Sequence, residues 1–256
     1  MHLDVIDLRN FYYRTKLGRS AQRGLQGALR GLWPNVKGMN VAGFGFAVPV
    51  LRPFLGEAQR VLGLMPGQQG VMHWPPGGAN LTALVEEVSW PIVAGSLDRL
   101  VVAHGLETCE HPDALLAEIW RVLAPGGKVV FIVPNRSGIW ARSDATPFGF
   151  GRPYSVGQLE GYLRLHRFQA ERHVMALYAP PSQRRFWLKS APFWEKWSPK
   201  LGGSLGAGAI VLEATKQVYA LPKGGLRAAV KAPVGILQGL GRPKPAARDR
   251  ANCNLV

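Results

Sequence analysis

Several stretches of this chain carry residue types whose spacing could do chemistry. Gly43-Phe44-Gly45-Phe46-Ala47 follows an apolar run. Glycines at that spacing let a main chain turn tightly and let a ligand approach it, at the mouth of a helix whose first N–H groups are free to donate. The competing reading is a tight turn that only brings a helix close to a sheet. His104 follows a second apolar run, Leu97–Ala103. It is either a base facing a crevice, able to act near neutral pH, or a histidine that caps a strand end. Glu107 lies near enough in sequence to fix its tautomer. Glu86 and Glu87 close a third apolar stretch, where a carboxylate either meets a polar ligand or is solvated. The segment 134–154 gathers Arg136, Trp140, Phe148, Arg152 and Tyr154. Aromatics supply an apolar wall and arginines a two-pronged grip on carboxylate or phosphate; the same residues could simply pin a loop to the surface. Cys109 has no activating neighbour in the sequence and reads as structural. With Cys253 as the other cysteine, neither a metal cluster nor a disulfide framework is expected.

The elements that must position these residues follow from periodicity. Residues 4–32 read as helical, with Val5, Leu8, Phe11 and Tyr12, then Leu25, Ala28, Leu29 and Leu32, at helical spacing. Strands are expected at 36–42, 59–65, 81–86, 97–103, 128–133, 172–178 and 209–219. Helices are expected at 48–55, 112–123 and 155–165, the last capped by Ser155. Pro112 opens the middle helix and Gly126 follows its end. Strands alternating with helices imply right-handed crossovers and an α/β, doubly wound, mostly parallel sheet with helices on both faces. Ligands bind such sheets beyond the carboxyl ends of the strands, where strand order reverses. The chain divides into an N-terminal helical segment, 1–35, an α/β domain, 36–221, and a basic tail, 222–256. Within the domain, 179–208 is an insertion holding Trp187, Trp194 and Trp197, a surface suited to a protein partner.

Composition bounds the partners. The chain has 256 residues, 47% of them hydrophobic, and a formal charge of +15. That charge favours anionic partners. Nucleic acid is disfavoured, because no strand interleaves basic and aromatic residues. No apolar run approaches the ~18 residues of a spanning helix. The N-terminus lacks the charged-then-apolar order of a signal peptide. A cytoplasmic protein is expected, with peripheral contact to an anionic membrane open to its basic tail.

Taken in order, Gly43-Phe44-Gly45-Phe46-Ala47, then Ser96-Leu97-Asp98-Arg99-Leu100-Val101-Val102-Ala103-His104, then Arg121-Val122-Leu123-Ala124-Pro125-Gly126-Gly127 resemble a class I S-adenosylmethionine-dependent methyltransferase of the small-molecule, type 11-like kind. The resemblance covers about residues 36–135. It implies a seven-stranded sheet with its last strand antiparallel, and S-adenosylmethionine as cofactor. Gly43, Phe44, Gly45 and Ala47 would approach the methionine end of the cofactor, Met65 the ribose, Glu86 and Glu87 the adenine. His104 would face the cofactor and serve catalysis. Arg136, Trp140, Phe148, Arg152 and Tyr154 would face the acceptor. The cofactor motif is degenerate: Val41-Ala42 replace an acid before the glycine turn, and Leu64-Met65-Pro66 carry none at the second strand's end. Gln68, Gln69 and Asn80 are the nearby polar substitutes. The expected function is methyl transfer to a small anionic or aromatic molecule. A catalytically inactive, methyltransferase-like binding or regulatory protein is the alternative.

Overall fold

Apolar runs too short for helices and rich in Val, Ile and Leu become strands, and the most apolar of them lie at the centre of the sheet. The computed structural model of the protein describes residues 4–182 and 206–218. Its strands are β1 (Asn40–Gly45), β2 (Arg60–Pro66), β3 (Thr82–Val85), β4 (Leu97–Ala103), β5 (Leu123–Pro134), β6 (Phe168–Ala176) and β7 (Ala209–Lys216). They form one seven-stranded sheet in the order β3-β2-β1-β4-β5-β7-β6. Pairing is parallel from β3 through β5, and β7 runs antiparallel to both its neighbours. Strand order therefore reverses between β1 and β4, which places the crevice at the ends of those two strands.

Helices cover both faces, as alternation requires. On one face lie α1 (Val5–Arg9), a π-helical turn (Asn10–Arg14), α2 (Lys16–Leu32) and the short α3 (Val48–Leu51). The stripe Leu17, Ala21, Leu25, Leu29 and Leu32 of α2 is buried in the same core as Val41, Val101, Val130 and Val211 of the sheet. On the other face, α4 (Pro112–Val122) and α5 (Val156–Leu165) bury Leu115, Leu116, Ile119, Leu159 and Leu163 against Leu100, Val102 and Phe131. Ser155 caps α5 in a reciprocal box with Gln158. Glu213 of β7 is fully buried and accepts from Trp33 Nε1 at 2.8 Å and Arg172 Nε at 2.7 Å. It ties the end of α2 to the far side of the sheet.

The structure moves several expected boundaries. The single N-terminal helix breaks at Thr15, whose extended backbone and side chain cap α2 by accepting from Gly18 N at 2.8 Å. A side chain at Gly18 would strike the Phe11 carbonyl, so α2 turns back onto the π-helical turn at van der Waals distance. The first strand starts at Asn40, because Val36–Met39 forms a turn through Gly38 at φ 74°. Strand β6 starts earlier than expected, at Phe168, since an edge strand exposing Gln169, Arg172 and His173 hides its periodicity. Strand β5 also begins early, with Leu123 pairing Leu97 across an irregularity. The expected Trp187, Trp194 and Trp197 surface and the basic tail lie outside the described residues. Among the described residues, no helix is long and apolar enough to cross a membrane.

Candidate functional site

The ends of β1 and β4 meet more closely than any side chain at residue 45 would allow. Gly45 has φ 74°, and a Cβ there would lie 2.4 Å from the Ala103 carbonyl oxygen. Gly43 is equally constrained, since a Cβ would lie 2.6 Å from Ala47 and 2.7 Å from Leu51 of α3. The glycine bend thus brings helix and neighbouring strand into contact. It does not present all its amides: the Phe46 N–H donates to Ala103 O at 2.8 Å, and those of Val50 and Leu51 go to Ala47 O. This corrects the expectation of a free row of donors at the helix mouth. Phe44 points to the opposite face and stacks on Trp90 at 4.8 Å. Ala47 and Met65 are buried in the α2-side core.

His104 is the hub of the crevice. It is 2% exposed and held at φ 52°, a conformation uncommon outside glycine. Gln69 Nε2 donates to its carbonyl, as does Thr108 Oγ1 at 3.3 Å. Its Nε2 lies 2.7 Å from the Tyr12 hydroxyl, and its Nδ1 lies 3.3 Å from Glu107 Oε1. Tyr12 stands on Phe46, ring centroids 5.9 Å apart, and Phe148 meets the imidazole edge-on at 4.9 Å. Burial, and then the charge of Glu107, pushes the Tyr12 hydroxyl well above its ordinary range, so it remains an O–H. Buried polar atoms with no hydrogen bond among the described residues gather here: Gln69 Oε1, His104 Nδ1 and both Glu107 oxygens.

The other sequence candidates scatter around this hub. Glu86 is exposed, whereas Glu87 is half-buried and accepts from Glu110 N at 3.3 Å. Beside it the Cys109 thiol is pushed up to about 12, by burial first and then by Glu87. Trp140 is a core wedge: its Nε1 donates to Ala179 O at 2.8 Å, and a side chain at Gly208 would collide with its ring. Arg136 and Arg152 are exposed; their main-chain N–H groups donate to Tyr154 O and Glu107 O, both at 2.8 Å. Tyr154 is half-buried, its hydroxyl raised to about 12 by burial and then by Glu107. Of the proposed acceptor residues, Phe148 therefore joins His104 directly. Between the N-terminal segment and the 144–150 loop lies a cavity of about 190 Å³, lined by Asp7, Phe11, Asp144, Thr146, Pro147 and Phe150. Tyr12 escaped the sequence reading because it falls on an apolar helical stripe. Only its hydroxyl, a buried polar atom needing a partner, could have marked it.

Comparisons with known proteins agree with this architecture. Residues 73–131 match the family described as Methyltransferase domain. No curated protein matches the chain in sequence. A Thermotoga maritima S-adenosylmethionine-dependent methyltransferase, described as a possible histamine N-methyltransferase, superposes with TM-score 0.56 at 17% identity, covering 78% of this chain and 91% of that one. A Mesorhizobium loti S-adenosylmethionine-dependent methyltransferase gives 0.51 at 16% identity, covering 74% and 96%. The cyclase SpnF gives 0.51 at 20% identity, covering 77% and 81%. The chain thus has the seven-stranded fold of the class I S-adenosylmethionine-dependent methyltransferases, and within it residues 73–131 match a methyltransferase domain.

Proposed function

We propose that the protein transfers a methyl group from S-adenosylmethionine to a small aromatic molecule bearing a hydroxyl or amine. One observation carries the reading: buried, unpaired acceptors at the point where strand order reverses. Gln69 Oε1 and the Glu107 carboxylate accept hydrogen bonds or attract positive charge, while the Gln69 amide nitrogen is spent on the His104 carbonyl. A cofactor with an ammonium group and a sulfonium centre is the complement of such a set, so the residues fit it although the acid at the end of β2 is absent. Gln69 and the Glu107 Oε2 edge would hold the charged end of the cofactor. Met65, Glu86 and Glu87, at the ends of β2 and β3, are the candidates for its nucleoside, and Gly43, Phe44, Gly45 and Ala47 shape the strand end beside it. When bound, the cofactor supplies an already activated methyl group, which leaves alignment and exclusion of water to the protein.

For the acceptor, Phe148 and the cavity walls Phe11 and Phe150 favour an aromatic ring. The exposed Arg136 and Arg152 are the candidates for an anionic group at its rim, with Tyr154 and the buried Trp140 supporting the loop. His104 is the candidate base. The proposed setting is the cytoplasm, with the tryptophan-rich insertion as the candidate surface for a protein partner.

A second reading, a methyltransferase-like protein that binds without transferring, is favoured by the Phe46 N–H spent on Ala103 and by Tyr12 standing over the bend. Titration calorimetry of the full chain with S-adenosylmethionine separates the two. The first reading expects micromolar affinity, weakened about tenfold by Gln69→Leu, the scale of one hydrogen bond to a charged group. Absence of binding at millimolar cofactor would leave the second.

A further inference from the structure

Holding the charged end of the cofactor would use only the Oε2 edge of Glu107; its Oε1 faces His104. The Glu107 side chain is 0% exposed, and neither oxygen has a hydrogen bond among the described residues. The 147–152 loop seals it in: Arg152 N–H donates to its carbonyl, and a side chain at Gly151 would lie 2.5 Å from that oxygen. A carboxylate so placed is strongly disfavoured unless something compensates its charge. Within ion-pair distance stands the His104 ring, 3.3 Å away at Nδ1. That ring is itself fixed, by the left-handed backbone at residue 104, the Gln69 and Thr108 bonds to its carbonyl, and Phe148 against its face.

The other nitrogen meets a second fixed partner. Nε2 lies 2.7 Å from the Tyr12 oxygen, and Tyr12 keeps its proton in this setting. A protonated hydroxyl can donate or accept, so Glu107 decides: a carboxylate, which only accepts, 3.3 Å from Nδ1 favours the ring N–H there and leaves Nε2 to accept from Tyr12. Three elements distant in sequence, the N-terminal π-helical turn, the end of β4 and the loop after it, contribute one residue each.

We propose that Tyr12, His104 and Glu107 form one acid–base unit, in which Glu107 is a positioning residue that holds His104 with its lone pair on Nε2 and Tyr12 relays a proton to that nitrogen. Its use in catalysis rests on the methyl-transfer reading above; its existence does not. As the acceptor's O–H or N–H bond breaks, its freed electron pair forms the bond to the methyl carbon. The carbon–sulfur bond breaks with its pair left on sulfur. The released proton reaches Tyr12 oxygen while the Tyr12 proton passes to Nε2, and Glu107 balances the resulting imidazolium.

Nitrogen-15 NMR of the histidine rings tests this on the full chain without cofactor, the His104 signals being assigned by their loss in His104→Gln. In the native protein Nδ1 should carry the proton and Nε2 should show a bare, hydrogen-bond-accepting shift. Glu107→Leu removes the acceptor at Nδ1 and should move the proton to Nε2, whereas Glu107→Gln, which keeps an acceptor oxygen, should leave it on Nδ1. Tyr12→Phe should shift Nε2 alone. A native spectrum with the proton on Nε2, which requires no variant to fold, overturns the proposal, as does a tautomer unchanged in folded Glu107→Leu. The expected tautomer in a protein that calorimetry shows not to bind S-adenosylmethionine would sink the transfer reading and leave the unit standing. Cofactor binding with the proton on Nε2 would do the reverse.

Discussion

Cys109 shows how a reactive residue type is kept inert. Burial and the neighbouring Glu87 carboxylate hold its thiol near 12, so thiolate at neutral pH is negligible. In a Cys253→Ser background, a thiol reagent at pH 8 should label the folded protein at least about a hundredfold more slowly than the urea-unfolded chain. Fast labelling of folded protein would show that Cys109 is accessible and ionised. Gly45 makes the opposite point, a small residue that the packing demands. Gly45→Ala meets both a left-handed backbone and the Ala103 carbonyl, and should cost about 2–3 kcal/mol in urea unfolding. Its role in packing was legible only as one of two readings, because a glycine turn looks the same in sequence whether ligand or strand fills the space above it. His104 was legible from its place after an apolar run. Its partners were not, since Tyr12 lies 92 residues away and nothing local links them.

Among the elements, those with their own punctuation could be read directly. Pro112 opens α4, Ser155 caps α5, and the unbroken apolar run of β4 has the expected ends. Elements whose limits depend on a neighbour could not: β1 yields its first residues to a turn, and β6 takes its register from β7. The Trp33–Glu213 bond joins residues 180 apart and anchors α2 to the sheet. Trp33→Phe keeps the ring and removes the donor, so it should cost about 1–3 kcal/mol by leaving Glu213 one partner short. On the outer strands, Glu171 is held below the usual carboxylate range by Lys128 first and Thr215 next. A lowered value in the folded state means stability that is present above the unfolded range, about 4.3, and lost as pH falls through the folded value. The melting temperature of Glu171→Gln should therefore lie below that of the native protein at pH 7, and the gap should close on acidification towards pH ~3. A gap independent of pH would assign the effect to packing.

At the scale of the whole molecule, periodicity could announce an α/β sheet but could not order its strands, because order is set by which faces bury against each other. The count of seven strands with the last antiparallel came from resemblance to a family, and the structure has it; the order itself appears only in the structure. The placement of β7 between β5 and β6 has a consequence for how the chain is made. During synthesis β5 and β6 emerge first, yet they never pair with each other. Until residues 209–216 leave the ribosome, the edge of β5 along Val129–Ile132 has no permanent strand partner, and β6 has no strand partner on either side. The nascent polypeptide must therefore wait with an open, sticky margin, a form open to chaperones and to misassociation. Completion arrives in a single insertion, when one late segment zips both gaps at once.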